Sequence, residues 1–442
     1  MRKPLLLLLA GLCLVHSSSI ARVWTEAASG RKVDAEFVSS ADGKVLVQMK
    51  GGGKVSIDLV RLAPEDRSYV EERVKSSAKP AAAAASKVED FFEDTPKLKA
   101  EEIPASGEER PDLATVDAAI RNFMVEKGIG AVTFALSKNG KILHDRAFGW
   151  ADPKLKEPLK PGVKMRVASM TKPVVMAAIK TLITDGKLKA EDLVFPLLEL
   201  GQFQESKGCD ERWQKVTIQN LLDHKGGWDR DVSGDFTGLT TQMCEMYDVK
   251  LNELTPEHML RFGLTRKLDF APGERYAYCN YGYIVLVRVI EKVSGQKFMD
   301  YLHATVAKTS GAESFSASAS DARDRQAGEV WYSYHPEYTK PEVPLRFRTD
   351  ARDGAGILAC TAADYCRFLE NYSVLGNQRK PGAKYRGSFA GSHPGVTAIC
   401  SQRVDGINYA IICNRRGVGS TDWNGDLRKV VDAELEKVAA GL

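Results

Sequence analysis

Apolar and polar residues alternate in the first part of the chain, in three short runs over 33–37, 45–49 and 55–59. A period of two predicts β-strands with one buried face. The stretches between the runs are rich in glycine and polar residues, which predicts hairpin turns. Residues 22–75 are therefore predicted to form a small all-β module.

The alternation stops at residue 76. Residues 76–109 are rich in Lys, Ala, Pro and Glu, and they include an uninterrupted alanine run over 81–85. No amphipathic period is present, so this stretch is predicted to be a linker.

A second, larger domain is predicted over 110–442. Its ends carry the clearest periodicity: a helix over 112–127, strands over 131–137 and 141–148, strands over 396–403 and 407–413, and a helix over 422–440. Asn139-Gly140 and Asp405-Gly406 separate the two strand pairs, and such dipeptides are strong hairpin signals. The pattern predicts an α+β domain, in which one antiparallel sheet is assembled from both chain ends and flanked by helices. The long central part is predicted to form a helical lobe.

The N-terminus has the pattern of a secretory signal peptide. A basic start, Met1-Arg2-Lys3, precedes a short apolar run, and small residues stand at Ser19 and Ala21. This predicts cleavage after Ala21 and a secreted or periplasmic protein. No later apolar stretch is long enough to span a bilayer, so no integral membrane segment is predicted.

The overall charge gives little indication of a partner. The formal net charge is +4 over 442 residues, with no basic stripe interleaved with aromatic residues, so nucleic acid is not predicted as a partner. The histidines and cysteines lack the spacing of a metal site, and we predict neither a metal nor another cofactor.

Seven cysteines follow the predicted cleavage site, and their scatter is not that of a disulfide framework. Cys279, Cys400 and Cys413 lie in apolar surroundings and are predicted to be buried thiols. A bridge between Cys209 and Cys244 stays open as an alternative to free thiols at those positions.

One Ser-x-x-Lys pattern has the context of a catalytic pair. The pattern also occurs at Ser76 and at Ser294, but only Ser169 and Lys172 open a long apolar run, which predicts a buried helix. Three-residue spacing places both side chains on one helix face. Burial and the helix N-terminus lower the pKa of a lysine, and a neutral lysine can accept a serine proton. Ser169 is thus a candidate nucleophile and Lys172 its base; the alternative is a serine capping an ordinary core helix.

Tyr278-Cys279-Asn280 stands just before a second apolar helix, about 110 residues after Ser169. A phenol can share a proton with a lysine, and an amide can hold a lysine or a substrate carbonyl group. The triplet is common by itself, so its position is what makes it a candidate.

Three ordered motifs, over 167–173, 221–229 and 278–283, resemble those of the beta-lactamase-related serine hydrolases. That group includes class C beta-lactamases, D-alanyl-D-alanine carboxypeptidases, D-aminopeptidases and carboxylesterases. The resemblance runs from about 112 to 435 and implies a beta-lactamase/transpeptidase-like fold. It also implies that Tyr278 relays protons to the leaving group and that Asn280 orients Lys172 and the substrate.

Residues 22–37 resemble an SH3-like homology domain named after a yeast endocytic adaptor. This resemblance implies a small β-barrel with a binding or spacing role. The ligand of such a module is not indicated by the sequence.

The third motif of the hydrolase family departs from its usual pattern. Phe389-Ala390-Gly391-Ser392 stands where the resemblance implies Lys or His, any residue, and Gly. Gly391 would let the strand approach the substrate, and the Ser392 N–H, with that of Ser169, would form an oxyanion hole. Phe389 removes the cation that binds a substrate carboxylate, which favours an ester or neutral amide over a beta-lactam.

Three further side chains leave alternatives open. Trp228 is predicted either to line the rim of the cleft or to pack in the core. His224 is favoured as a structural hydrogen-bonding residue within its glycine-rich turn over a catalytic one. For His393, a surface or packing role is favoured over contact with the cleft.

The sequence thus predicts a secreted serine hydrolase, which acts through an acyl-enzyme on an ester or neutral amide in a small-molecule or peptide substrate. The alternative is a catalytically degenerate domain that binds peptidoglycan or a peptide. Phe389 supports the alternative, and the joint presence of Ser169, Lys172, Tyr278 and Asn280 opposes it.

Overall fold

The computed structural model describes residues 22–71 apart from 26, 28–29, 31, 42–43 and 50–53, and residues 99–442 apart from 153–155, 201–209, 319–328, 333–349, 381–382 and 418–422. The chain divides into two compact units between residues 94 and 95. The predicted signal peptide and most of the predicted linker lie outside the described residues.

The N-terminal unit is a four-stranded antiparallel sheet followed by a helix. Its elements are β1 (Arg22–Thr25), β2 (Lys32–Ala41), β3 (Lys44–Met49), β4 (Lys54–Asp58) and α1 (64–71), with the strands in the order β1-β2-β3-β4. The alternating residues point into a small core around Trp24, as predicted.

Helix α1 was not predicted, so the description of this unit as all-β was incomplete. Val70 is buried in the core, and the Asp66 carboxylate accepts a hydrogen bond from the Thr25 N–H at 2.7 Å. Asp66 also pairs with Arg22 at 2.6 Å. The helix is too short to show a periodic pattern, because its contacts with the sheet come from only one or two turns.

The strands of the C-terminal unit are β5 (Ala105–Ser106), β6 (Ala131–Lys138), β7 (Lys141–Asp152), β8 (Glu157–Pro158), β9 (Met165–Arg166), β10 (Ser316–Ala317), β11 (Leu358–Cys360), β12 (Gly387–His393), β13 (Val396–Gln402) and β14 (Ile407–Cys413). Its helices are α2 (Ala114–Lys127), α3 (Thr171–Thr184), α4 (Val194–Leu197), α5 (Ile218–Leu222), α6 (Thr240–Tyr247), α7 (Pro256–Leu264), α8 (Asn280–Ser294), α9 (Phe298–Leu302), α10 (Lys308–Ser310), α11 (Asp353–Gly356), α12 (Ala362–Asn371) and α13 (Asn424–Val438).

The main sheet joins both ends of this unit, as predicted. Its strands are antiparallel in the order β12-β13-β14-β6-β7-β5, with β8 paired to β7. Asn139 and Gly140 both have positive φ, as the predicted two-residue hairpin turn requires. A small sheet of β10, β11 and β9 lies beside the start of α3.

Helices cover both faces of the main sheet. Val132, Phe134 and Leu136 alternate along β6 and pack with α2 and α13 in one core. Ala131 and Ala135, on the opposite face, belong to the larger core that contains α3, α8 and α12. The small residues on this second face let the buried helices approach the sheet closely.

Residues 99–109, assigned to the linker from composition, belong to the folded unit instead. Ile103 is buried against α2, and β5 pairs with β7. One buried side chain and a two-residue strand leave no periodic signal in the sequence, so the composition dominated the prediction.

The described cysteines agree with the predicted thiols where they can be compared. Cys279, Cys400 and Cys413 are buried and free. Cys209 lies outside the described residues, so its bridge to Cys244 stays a prediction. Within the described ranges, no helix combines the length and apolar character needed to cross a membrane.

Candidate active site

Ser169 lies in a single 3-10 turn, Ala168–Met170, that leads directly into α3. The predicted helix therefore starts two residues after the serine. The Ser169 and Lys172 side chains still meet, with 3.1 Å between Lys172 Nζ and Ser169 Oγ. Ser169 is half-buried, and Lys172 is fully buried.

The turn that carries Ser169 is held on both sides. The Tyr365 hydroxyl donates to the Met170 carbonyl at 2.8 Å, and the Leu358 N–H donates to Thr171 Oγ1 at 3.2 Å. Ala168 has a φ of 49°, an unusual conformation for a residue with a side chain. Strain of this kind persists only where the surroundings impose it, and here it fixes the residue before the candidate nucleophile.

Lys172 Nζ has three hydrogen-bond partners. Besides Ser169 Oγ, Nζ donates to Asn280 Oδ1 at 2.8 Å and to the Ala355 carbonyl at 3.1 Å. Burial lowers the pKa of Lys172, because desolvation disfavours the charged form, although the nearby Tyr278 opposes the shift. A lysine with a lowered pKa is available as a base closer to neutral pH.

Tyr278 contacts the other side of Ser169. Its hydroxyl donates to Ser169 Oγ at 2.8 Å, and Lys172 Nζ lies 4.9 Å from the ring centroid. Two side chains cover the ring itself: His224 stacks on it at 4.6 Å, and the Arg230 guanidinium lies 4.6 Å from its centroid.

His224 has the structural role that the sequence favoured, but over a longer range. Its Nδ1 accepts from the Cys279 N–H at 3.1 Å, and its carbonyl accepts from the Ala277 N–H at 2.8 Å. Both bonds join the glycine-rich turn to the Tyr278 segment, whereas the prediction placed the bond within the turn. Burial and the nearby Lys172 lower the pKa of His224 to about 3, so its ring is neutral.

Asn280 is the first residue of α8 and connects Lys172 to a carboxylate. Its Nδ2 donates to Asp235 Oδ2 at 2.7 Å, and Arg352 lies 3.2 Å from the same oxygen. Burial would raise the pKa of Asp235, but the Arg352 charge and hydrogen bonds from Thr237 and Asn280 outweigh it and lower the pKa. The carboxylate is therefore ionised and fixes which end of the Asn280 amide faces Lys172.

The Ala355 carbonyl belongs to α11, and a buried ion pair joins this helix to α8. Asp353 pairs with Arg288 of α8 and accepts from the Gly354 N–H at 2.7 Å. A Cβ at Gly354 would lie 1.9 Å from the Tyr283 carbonyl oxygen, so only glycine permits this packing of α11 on α8. Neither Asp353 nor Ala355 was predicted from the sequence as part of the site.

The third predicted motif lies on β12, against the turn that carries Ser169. A Cβ at Gly391 would lie 2.0 Å from the Val167 carbonyl oxygen and 3.2 Å from the Met170 nitrogen. Ser392 lines the same small cavity as Ser169. The structure thus brings Ser169 and Ser392 to one cavity, as a two-amide oxyanion hole would require.

The Gly391→Ala variant is expected to lower kcat by about tenfold or more and to lower the melting temperature, because the added methyl group meets backbone that cannot rotate away. Steady-state kinetics and thermal unfolding measure both effects. Gly425→Ala is the matched control, since a Cβ there meets nothing within 4 Å. Equal behaviour of the two variants would contradict the close approach of β12.

Phe389 is half-buried and lines a cleft of about 410 Å³ together with Tyr278, Met176 and Leu375. Phe389 stands where the resemblance implied a cation, so β12 presents an apolar side chain to the cleft at this position.

A cavity of about 50 Å³ beside Ser169 contains two residues that the sequence did not place there, Arg352 and His393. The surface or packing role favoured for His393 was wrong in this respect, since His393, the last residue of β12, lines the cavity. Burial and the charges of Arg166, Arg352 and Arg416 hold the pKa of His393 well below its usual value, so the ring is neutral.

Trp228, for which the sequence left both the cleft rim and the core open, belongs to the core. It is 2% exposed, and its ring packs edge-on against Tyr281 at 4.8 Å and near Phe195 at 6.3 Å. The glycine-rich turn bends the chain inward, so the indole fills space between α8 and α4. Of the two alternatives, core packing is the one that the structure has.

A metal site is not formed by the part of the chain that the structure describes: none of its clusters contains three or more His, Cys, Asp or Glu residues suited to hold an ion.

Two family models match the chain. The model described as beta-lactamase matches residues 116–398, more than half of the chain, and the model described as SLA1 homology domain 1 matches residues 17–78. The second match coincides with the N-terminal unit of strands.

Among curated proteins, the chain is similar to penicillin-binding protein 4* of Bacillus subtilis, with 27% identity over 53% of this chain and 51% of that protein. It is also similar to esterase EstB of Burkholderia gladioli, with 28% identity over 45% of this chain and 50% of that protein. The chain thus spans about half the length of each of these relatives.

Solved structures with the same architecture include a D-amino acid amidase from Ochrobactrum anthropi, with a TM-score of 0.55 and 18% identity over 75% of this chain and 99% of that one. A penicillin-binding protein from Bacillus halodurans has a TM-score of 0.54 and 20% identity over 71% and 99%. At these identities the likeness shows the fold alone, a beta-lactamase/transpeptidase-like fold, as predicted.

Proposed function

Since the chain belongs to the beta-lactamase family of serine hydrolases, we propose that it hydrolyses an ester or neutral amide through an acyl intermediate on Ser169. One observation carries the proposal: Ser169 Oγ lies within hydrogen-bonding distance of both Lys172 Nζ and the Tyr278 hydroxyl. A nucleophile held by two groups that can exchange protons is the arrangement acyl transfer needs.

In the acylation step, Ser169 Oγ attacks the substrate carbonyl carbon and its proton passes to neutral Lys172. The lowered pKa of Lys172 supports this role. Asn280 Oδ1 and the Ala355 carbonyl then stabilise the ammonium, because both accept hydrogen bonds from Nζ. The N–H groups of Ser169 and Ser392 stabilise the oxyanion.

Collapse of the tetrahedral intermediate breaks the bond to the leaving alcohol or amine. Tyr278 gives its proton to the leaving atom and regains one from Lys172. Its position suits this role, because its hydroxyl contacts Ser169 Oγ and Lys172 Nζ lies 4.9 Å from its ring centroid. Water then attacks the acyl-Ser169 ester, and the same groups carry the protons in reverse, which releases the acid and restores the serine.

Phe389 supports a substrate that is uncharged near this wall of the cleft. Arg352 is the cation beside Ser169, and its ion pair with Asp235 balances its charge. A carboxylate would have to compete with Asp235 for Arg352, whereas an ester or neutral amide has no such cost.

We further propose that the protein is exported, with cleavage after Ala21, on the basis of the N-terminal pattern. The alternative of a binding protein without catalysis is disfavoured, because Lys172 is buried at a desolvation cost that a mere binding site would not require.

The proposal is tested by treating the full chain with a fluorophosphonate probe and, separately, with p-nitrophenyl acetate quenched in acid. We expect one phosphonyl group per chain, located by peptide mapping on Ser169, and turnover of the ester. A chain that takes up no label and turns over no ester, or that is labelled at another residue, would rule the proposal out.

A further inference from the structure

Two cavities of very different size adjoin the Ser169 hydroxyl and its partner Tyr278. The small cavity, about 50 Å³, is lined by Ser169, Ser392 and Gly356 among others. The large cleft, about 410 Å³, contains the Tyr278 ring in its wall. Among the described residues the two cavities share no lining side chain, so they can hold different parts of one substrate.

The large cleft combines an apolar wall with three polar residues. Its walls include Met176, Leu222, Leu375, Phe389 and the ring of Tyr276. Leu375 is 57% exposed and Tyr276 is 61% exposed, so two large side chains present apolar surface to solvent at the same cleft. A convergent apolar surface of this kind is typical of a ligand site.

Three polar residues complete the large cleft without giving it a net charge. Asp223 and Lys225 have opposite charges, and His224 is neutral because its pKa is lowered to about 3. An apolar group in this cleft would meet Phe389, Leu375 and the Tyr276 ring, because His224 and Arg230 cover the ring of Tyr278.

The position of Tyr278 assigns the halves of the substrate to the two cavities. Its hydroxyl lies 2.8 Å from Ser169 Oγ, so a leaving atom that takes its proton must lie beside it. Substituents on that atom then extend past Tyr278 into the large cleft, which this residue also lines. The acyl group, held by the oxyanion hole at Ser169 and Ser392, faces the small cavity.

The sizes limit what each half can be. One water molecule needs about 10–15 Å³ on this measure of volume. The small cavity of about 50 Å³ therefore accommodates a group of few heavy atoms. The large cleft accommodates an aromatic ring or a medium alkyl chain.

We propose that the natural substrate joins a small acyl group to a bulky apolar or aromatic alcohol or amine, and that this leaving group binds in the large cleft against Phe389 and Leu375. The proposal rests on the acyl-transfer function proposed above and adds the class of substrate. The reaction transfers the acyl group to Ser169 and then to water, and it releases the apolar alcohol or amine.

Two matched ester series test it on the full chain. In the first, the acyl group is always acetyl and the alcohol is ethanol, hexanol or 2-phenylethanol. In the second, the alcohol is always 2-phenylethanol and the acyl group is acetyl, hexanoyl or benzoyl. We expect kcat/KM to rise by about tenfold or more from ethyl to 2-phenylethyl acetate, and to fall as the acyl group grows.

Two variants and a matched control locate the effect. Leu375→Ala and Phe389→Ala are expected to reduce the preference for 2-phenylethyl over ethyl acetate by about threefold or more. Leu251→Ala removes the same atoms from a leucine that is 40% exposed and outside both cavities, and it should leave the preference unchanged. The preference is a ratio, so a variant that folds only in part still reports it.

Fluorophosphonate labelling of Ser169 in the same samples separates the possible failures. If Ser169 is labelled but the preference follows acyl size, or is the same in all variants, the substrate assignment is overturned and the acyl-transfer function stands. If neither labelling nor turnover occurs, both proposals fall.

Discussion

Replacement of Ser169 by alanine is expected to lower kcat/KM for ester hydrolysis by about 10⁵-fold or more and to abolish fluorophosphonate labelling. The Ser169 hydroxyl is the group that forms the proposed ester, and its loss leaves substrate binding and the oxyanion hole. Steady-state kinetics with p-nitrophenyl acetate and intact-mass analysis measure the two effects. The fold should persist, because Ser169 is half-buried and the turn is held by Tyr365 and Leu358.

Ser294→Ala is the matched control for this experiment. Ser294 has a lysine at the same spacing, Lys297, but Gly295 takes a φ of 69° and ends α8 directly after the serine. Ser294 and Lys297 therefore do not share a helix face, and activity should change by less than about twofold. Comparable losses in the two variants, or normal activity in Ser169→Ala, would exclude Ser169 as the nucleophile.

Replacement of Lys172 by methionine is expected to lower kcat/KM by about 10³-fold, since general base catalysis of this kind contributes between about 10² and 10⁴. Methionine has a similar length and suits a fully buried position, so the variant isolates the loss of the amine. Lys297→Met is the matched control and should retain activity. A loss of less than about tenfold in Lys172→Met would show that another group takes the Ser169 proton.

The pH profile distinguishes a base from a merely structural lysine. Burial lowers the pKa of Lys172, so wild-type kcat/KM should fall on acidification through that lowered pKa, as Nζ becomes protonated. The residual activity of Lys172→Met should lack this acidic limb. An acidic limb that is identical in wild type and variant would contradict the assignment of Lys172 as the base.

The lowered pKa of Lys172 also affects stability. Between the lowered pKa and about 10.5, the unfolded chain binds more protons at this group than the folded chain. The contribution of Lys172 to the free energy of unfolding therefore rises with pH across that window.

The sequence predicts the fold where local signals and tertiary contacts agree. Asn139 and Gly140 both adopt the positive φ that a two-residue hairpin turn needs. The alternation of side chains between the two faces of β6 and β14 leaves few registers in which these strands can pair. Residues 99–109 have no such signal, because the two-residue strand β5 forms by pairing with the edge of β7 and not from a local pattern. Composition alone then assigned them wrongly to the linker.

The catalytic candidates could be predicted because two of them share one helix turn and two share one triplet. Ser169 with Lys172, and Tyr278 with Asn280, are each fixed by local geometry. Their mutual contact, at 2.8 Å between Lys172 Nζ and Asn280 Oδ1, depends on α3 packing against α8. The resemblance to a family supplied that contact, and spacing alone would not have done so.

The sequence did not predict three residues of the site, Asp235, Arg352 and Ala355, and the reason is physical. Each comes from a short turn whose position is set by distant partners, such as the buried Asp353 and Arg288 pair. An aspartate that caps a short turn is common in any sequence, so Asp235 gave no distinctive signal. For Trp228 the sequence could not decide between two positions, because an indole after two glycines suits a cleft rim and a core equally well.

The pairing of β14 with β6 has a consequence for synthesis. β14 is the last described strand of the chain, whereas β6 and β7 are the first long strands of its unit. One edge of β6 therefore stays unpaired while the nascent chain grows, and an open edge of this kind can pair with other chains. Gly391 and Ser392 also arrive late. The ribosome makes Ser169, Lys172, Tyr278 and Asn280 before the β12 wall of the site. The nascent chain therefore carries these four side chains without a complete site while the residues between Asn280 and Gly391 are made.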